Sequence, residues 1–227
     1  MKKIRQLLLL LSTSMFFQAV HGQDWANLKR FQEENAGLTP PAKGEKRVVF
    51  MGNSITEGWK NMRPEYFEGK PFINRGIGGQ TTPQMLIRFT QDVIDLNPEA
   101  VVILAGINDI AGNTGPSTQE MITDNIFAMA ELAKAHGIKV LICSVLPAAD
   151  FPWRPGMAPA QKVISLNQAL ENYARKNNIT YVDYFSAMVN SENGLKDELG
   201  SDGVHPNEAG YLVMEPILDA ALKKVFK

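Results

Sequence analysis

Five short apolar runs, separated by longer stretches, constrain this chain of 227 residues more tightly than anything else in it. They occupy residues 48–51, 71–77, 100–105, 138–146 and 179–184. A strand with one wet face alternates apolar and polar residues, whereas unbroken β-branched runs suit strands covered on both faces, as in a parallel sheet. Between the runs, residues 83–96, 117–136 and 159–176 have helical length and spacing, and 206–226 closes the chain with another helix. Ser117, with Glu120 three residues on, predicts a capping box, and Gly137 behind His136 predicts a helix-ending glycine. A helical or irregular lead-in around residues 25–31 and the Pro40-Pro41 break precede the first strand. This strand–helix succession predicts one α/β domain, an open parallel sheet with right-handed crossovers.

Residues 1–22 stand apart. Lys2, Lys3 and Arg5 precede an apolar stretch through Val20, and Val20-His21-Gly22 offers small residues at both recognition positions. The pattern predicts a secretory signal peptide cleaved after Gly22, leaving residues 23–227 as a periplasmic or secreted domain with no stable membrane insertion. Removing it leaves 20 basic against 24 acidic residues. With the cations scattered, that balance argues against a nucleic-acid partner. Cys143 is the only cysteine, so an internal disulfide and a cysteine-linked lipid anchor are excluded; its apolar surroundings predict a core position.

Ligands of open parallel sheets bind beyond the carboxyl ends of the strands. The first run leads into Gly52-Asn53-Ser54, the second into Gly76-Ile77-Gly78-Gly79 and the third into Gly106-Ile107-Asn108-Asp109, all on one rim. Ser54 falls where a strand hands over to a helix, a position that serves an N-cap or a nucleophile. Of the three histidines, His21 lies in the leader and His136 ends a helix, which leaves His205 as the base. Asp202, three residues earlier in Asp202-Gly203-Val204-His205-Pro206, is placed to hold one ring nitrogen and turn the other toward the serine. Pro206 suits the first position of the last helix. Asp183, ending the fifth run, is an alternative orienting acid, with a structural hydrogen bond the favoured role. Gly78 and Asn108 can offer an N–H and an amide to a developing oxyanion beside the Ser54 N–H. Trp153 and Arg154, after the fourth run, are placed to meet substrate, by stacking on a sugar ring or walling an acyl pocket and by pairing with an anion; packing onto the core is the alternative. Trp59 is expected to pack. No His, Cys and Asp cluster has zinc spacing, and the glycines lack a nucleotide-binding pattern.

Gly52-Asn53-Ser54-Ile55-Thr56, Gly78 in its Asn-Arg-Gly-Ile-Gly-Gly context, Gly106-Ile107-Asn108-Asp109 and Asp202-Gly203-Val204-His205-Pro206 resemble, in order, the four blocks of the SGNH (GDSL-like) hydrolases. Asn53 stands where the older family label has Asp, as in relatives resembling the platelet-activating-factor acetylhydrolase-like branch. The resemblance implies a flavodoxin-like three-layer α/β/α sandwich around a five-stranded parallel sheet. It also implies a triad of Ser54, Asp202 and His205, an oxyanion hole of Ser54, Gly78 and Asn108, and no metal or organic cofactor. The expected activity is hydrolysis of short-chain esters, acetyl foremost, of small molecules or carbohydrate. A lysophospholipase or thioesterase of the same fold and a non-catalytic carbohydrate-binding protein are the alternatives.

Overall fold

The computed structural model describes residues 24–227, so the expected leader lies outside the described residues. In chain order the elements are α1 (Gln32–Gly37), β1 (Val48–Gly52), α2 (Ser54–Met62), α3 (Pro64–Phe67), β2 (Phe72–Gly76), α4 (Thr82–Asp92), β3 (Ala100–Leu104), α5 (Ile107–Ile110), α6 (Gln119–Ala135), β4 (Lys139–Cys143), α7 (Ala160–Lys176), β5 (Thr180–Val182), α8 (Phe185–Met188) and α9 (Glu208–Val225). The five strands are parallel in the order β2-β1-β3-β4-β5, which is flavodoxin-like. The chain steps one way from β1 to β2 and the other way from β2 onward. Right-handed crossovers therefore place α2 on one face and α4, α6 and α7 on the other, with α9 returning to the first.

Every residue of β1 and β3 is buried, which is what their unbroken apolar sequence requires between two helical layers. Under α2, Trp59 is buried and stacks between Tyr66 and Tyr211, and its edge meets Phe50. It packs, as expected. Cys143 is buried in the core, where desolvation pushes its thiol up to about 12 and keeps it from ionising at neutral pH.

Some boundaries differ from the sequence expectation. The fourth strand stops at Cys143 because Asn167 of α7 takes both main-chain groups of Val145, at 2.8 and 2.9 Å, and so replaces the ladder. Helix α4 ends at Asp92, followed by a tight turn over Ile94–Leu96 that Asn97 closes in the left-handed region. Helix α6 begins one residue beyond a Ser117 cap: Thr118 accepts from the Met121 N–H, so no Ser117–Glu120 box forms. Pro206 lies outside α9, whose cap is Asn207, accepting from the Gly210 N–H at 3.0 Å. Gly137 follows α6 with φ 74°, as expected.

Candidate active site

β1 delivers its last residue, Gly52, opposite Gly76 of β2 and Leu104 of β3, so the three following loops meet at one edge of the sheet. Asn53 caps α2 with its side chain on the Ile55 N–H, and Ser54 opens the helix. The Ser54 N–H therefore has no partner within the helix, and the helix dipole favours negative charge beside it. Gly76 is required by proximity: a Cβ there would run into the α2 main chain at Thr56 and Glu57. At Gly106 the requirement is conformational, because φ is 119° where the chain turns from β3 into α5.

The three side chains singled out in sequence meet. Ser54 Oγ lies 2.9 Å from His205 Nε2, and His205 Nδ1 lies 2.8 Å from Asp202 Oδ2. Asp202 also accepts through Oδ1 from the N–H groups of Val204 and His205, at 3.0 and 2.8 Å, so one carboxylate shapes the loop and orients the ring. An antiparallel bridge between Gly200 and Pro206 closes this loop, and the Ser201 N–H donates to the His205 carbonyl. Partial burial pushes Asp202 up, but the His205 N–H, the imidazole and the Val204 N–H outweigh it and hold the carboxyl below its ordinary value of 3.8. With Asp202 an anion, Nδ1 carries the proton and Nε2 presents its lone pair to the serine hydroxyl. Asp183 takes no part: its carboxylate receives the Ser186 N–H and hydroxyl at the start of α8.

The expected oxyanion donors are arranged less simply. Asn108 is buried, and its Nδ2 gives one proton to the Gln80 carbonyl at 2.9 Å, leaving the second. The Gly78 N–H is already engaged, donating to Glu57 Oε2 at 2.9 Å, and Glu57 faces Arg30 at 3.8 Å. The Gly78–Gly79 turn does abut the serine, since a Cβ at Gly78 would stand 3.9 Å from Ser54 Cβ. Among the described residues the Gly79 N–H makes no hydrogen bond. Glu57 lies one turn beyond Ser54 on α2, and no motif in the sequence marks it. Its i+3 spacing from the serine was the available signal.

Asp109 is buried and grips the start of α4, accepting from the Thr82 hydroxyl at 2.6 Å and the Thr82 N–H at 3.0 Å. Burial raises its carboxyl to about 6, against the opposing pull of those hydrogen bonds.

On the other flank, Trp153 stacks on Phe151 with centroids 5.2 Å apart and stands 5.9 Å from the His205 ring, 43% exposed. Arg154 turns away from the role expected of it: Nη1 donates to the main-chain carbonyls of Ala111 and Gly112 and braces the loop after α5. Next to these aromatics lies a cleft of about 340 Å³ whose polar lining is Asp150, Asn190, Asp197 and Asp202. Among the described residues no group of three or more His, Cys, Asp and Glu is arranged to hold a metal. Nor is any helix there long and apolar enough to cross a membrane.

Known proteins resemble this chain in sequence and in fold. Residues 50–213 match the model of the GDSL-like lipase/acylhydrolase family. A crystal structure of a candidate acylhydrolase from Bacteroides fragilis superposes with a TM-score of 0.89 at 51% identity, covering 90% of this chain and all of that one. An acetylxylan esterase from Xylanibacter ruminicola is 26% identical over 222 residues, 82% of this chain and 45% of its own length. The uncharacterised lipoprotein YqeF of Bacillus subtilis is 30% identical over 125 residues, 48% of this chain and 51% of its own. The chain thus spans about half the length of the curated relatives it matches. A match over most of the described chain, on a flavodoxin-like sheet with the serine at the end of β1 and the histidine in the loop before α9, leads to one conclusion: the chain belongs to the GDSL-like lipase/acylhydrolase family, a family of ester hydrolases.

Proposed function

We propose that this chain is an exported serine esterase that removes short acyl groups, acetyl foremost, from neutral carbohydrate. The observation that carries the reading is the relay of two hydrogen bonds, 2.9 Å from Ser54 to His205 and 2.8 Å from His205 to Asp202, at the rim where the strands end. In this reading Nε2 of His205 takes the Ser54 proton as Oγ attacks the ester carbonyl, and Asp202 steadies the resulting imidazolium. The negative charge on the carbonyl oxygen meets the Ser54 N–H, the second amide proton of Asn108 and a main-chain N–H of the Gly78–Gly79 turn. Because the Gly78 N–H is spent on Glu57, the reading takes Gly79 as that donor and gives Gly78 the role of holding the turn. His205 then returns its proton to the departing alcohol, and water, deprotonated by the same imidazole, clears the acyl-enzyme.

The preference for an uncharged sugar rests on the rim. Asp150, Asp197 and Asp202 would repel an anionic substrate, and Nη1 of Arg154, the cation expected there, is held by main-chain carbonyl groups. Trp153 offers an exposed ring face beside the imidazole. The acetylxylan esterase among the relatives favours the same substrate class. Export rests on the leader-like residues 1–22 and on a lipoprotein among the relatives.

Hydrolysis of p-nitrophenyl acetate, butyrate and octanoate by residues 23–227, beside Ser54→Ala, tests the reading. Acetate turnover should dominate and fall by about 10⁴-fold or more in the variant. Equal rates in both proteins would remove Ser54 as nucleophile, and octanoate preference would favour a lysophospholipase-like enzyme.

A further inference from the structure

The loops bearing Ser54, the Gly78–Gly79 turn and Asn108 leave three different strands, and one buried side chain ties them together. Arg88 of α4 has no exposed surface. Its Nη2 donates to the carbonyls of Gly52, at 3.1 Å, and Arg75, at 2.8 Å, which lie at the carboxyl ends of β1 and β2. Its Nε donates to Gln80 Oε1 at 2.6 Å, and the Gln80 carbonyl in turn receives Asn108 Nδ2 at 2.9 Å. Gln80 is anchored on its far side by Nε2, which donates to the Ala26 carbonyl at 2.9 Å. The charge itself is balanced elsewhere, by Asp92 at 3.0 Å.

Charge balance alone would need only the Asp92 contact. The remaining donors of the guanidinium instead converge on the main chain immediately before the serine, on the strand end before the glycine turn, and on the residue whose carbonyl holds the Asn108 amide. A planar, rigid fork fixes those groups relative to one another in a way a flexible ammonium does not. We infer that Arg88, acting through Gln80, is a positioning residue that sets the Asn108 amide at its working distance from Ser54. Neither side chain touches substrate. The inference rests on the assignment of Asn108 as an oxyanion donor, because an amide with no work to do would need no such alignment.

The test is a double-mutant cycle on p-nitrophenyl acetate hydrolysis, with thermal unfolding followed for each protein. Asn108→Ala should lower kcat by about a hundredfold to a thousandfold. Gln80→Met, which keeps the volume and loses the contact to Arg88, should lower kcat by about tenfold to a hundredfold with KM nearly unchanged. In the Asn108→Ala background the same change should cost no more than about twofold, because the group it positions is gone. Gln80→Glu keeps an acceptor for Nε but sets an oxygen against the Ala26 carbonyl, so it should recover part of the lost kcat. Arg88→Lys, run through the same cycle, should behave as Gln80→Met does and serves if that protein does not fold. A wild-type kcat in Gln80→Met, or an equal loss in both backgrounds, would overturn the inference and leave Arg88 a purely structural residue. An Asn108→Ala protein with unchanged kcat would instead overturn the oxyanion assignment, and the positioning role with it.

Discussion

The two halves of the site are built by opposite means. The half around Ser54 and Asn108 is held from beneath by groups with almost no exposure: Arg88 and Asp92 are wholly buried, and Gln80, Asn108 and Asp109 nearly so. The half around His205 is a short loop whose histidine and aspartate side chains remain 34% and 35% exposed and whose internal bonds are local, spanning two to eight residues. Oxyanion donors gain from a dry, rigid setting because they must not reorganise as charge develops. In the proposed reaction the base must exchange protons with incoming water, and an exposed loop permits that. Stability and turnover should therefore separate when each half is disturbed.

The largest effect is expected on the exposed side. Asp202→Asn removes the acid that fixes the imidazole tautomer and should cost about 10⁴-fold in kcat. Melting should shift little, as for other changes at partly exposed positions. Asp183→Asn, which touches only Ser186, should leave kcat as it was; a loss there comparable with that of Asp202→Asn would reassign the orienting acid.

On the buried side, Arg88→Met should lose roughly 3–5 kcal/mol of stability in urea unfolding, because Asp92 is left charged and unpaired inside the protein. A drop below about 1 kcal/mol would mean that this half is less tightly built than its burial implies.

Asp109 sharpens the contrast through pH. Burial lifts its folded-state pKa to about 6, above the 3.8 of an ordinary aspartate, so the folded protein holds a proton that the unfolded chain has released. Stability from this group is therefore lost as pH rises from about 4 to 6, by an amount of order 2–3 kcal/mol. Asp109→Asn should flatten the stability profile across that window, provided its oxygen keeps the Thr82 N–H. An unchanged slope would assign the pH dependence to another group.

The smallest effect expected is at the rim, where Trp153→Ala should raise KM for a sugar acetate by about tenfold while leaving KM for ethyl acetate alone, since only a ring substrate stacks. An equal rise for both esters would place Trp153 on the acyl side instead.

This contrast also explains what could be read before the structure was known. The Asp202-Gly203-Val204-His205 loop was legible because its bonds run between near neighbours, so spacing alone implies them. Ser54 was legible for a similar reason, a junction marked by a strand-like run, a glycine and a helix-like stretch. The strand ladder followed from unbroken apolar runs, which hydrophobic burial makes hard to satisfy any other way. Where a run and the structure part company, as at Val145, a distant Asn167 had taken over the backbone groups.

The sequence by itself determined the class of fold, the set of strands and the three residues Ser54, His205 and Asp202 whose side chains meet, since each is written in patterns a few residues long. Only the tertiary structure decided that Glu57 engages the Gly78 N–H, that Arg154 turns onto Ala111 and Gly112, and that Arg88 collects the carbonyls of Gly52 and Arg75. The Arg88 contacts depend on which polar groups packing brings together out of water, where each must find a partner, and the Gly78 and Arg154 contacts on which distant segments the fold sets side by side at the surface. The partners lie 13 to 43 positions apart along the chain, too far for any local pattern to announce them.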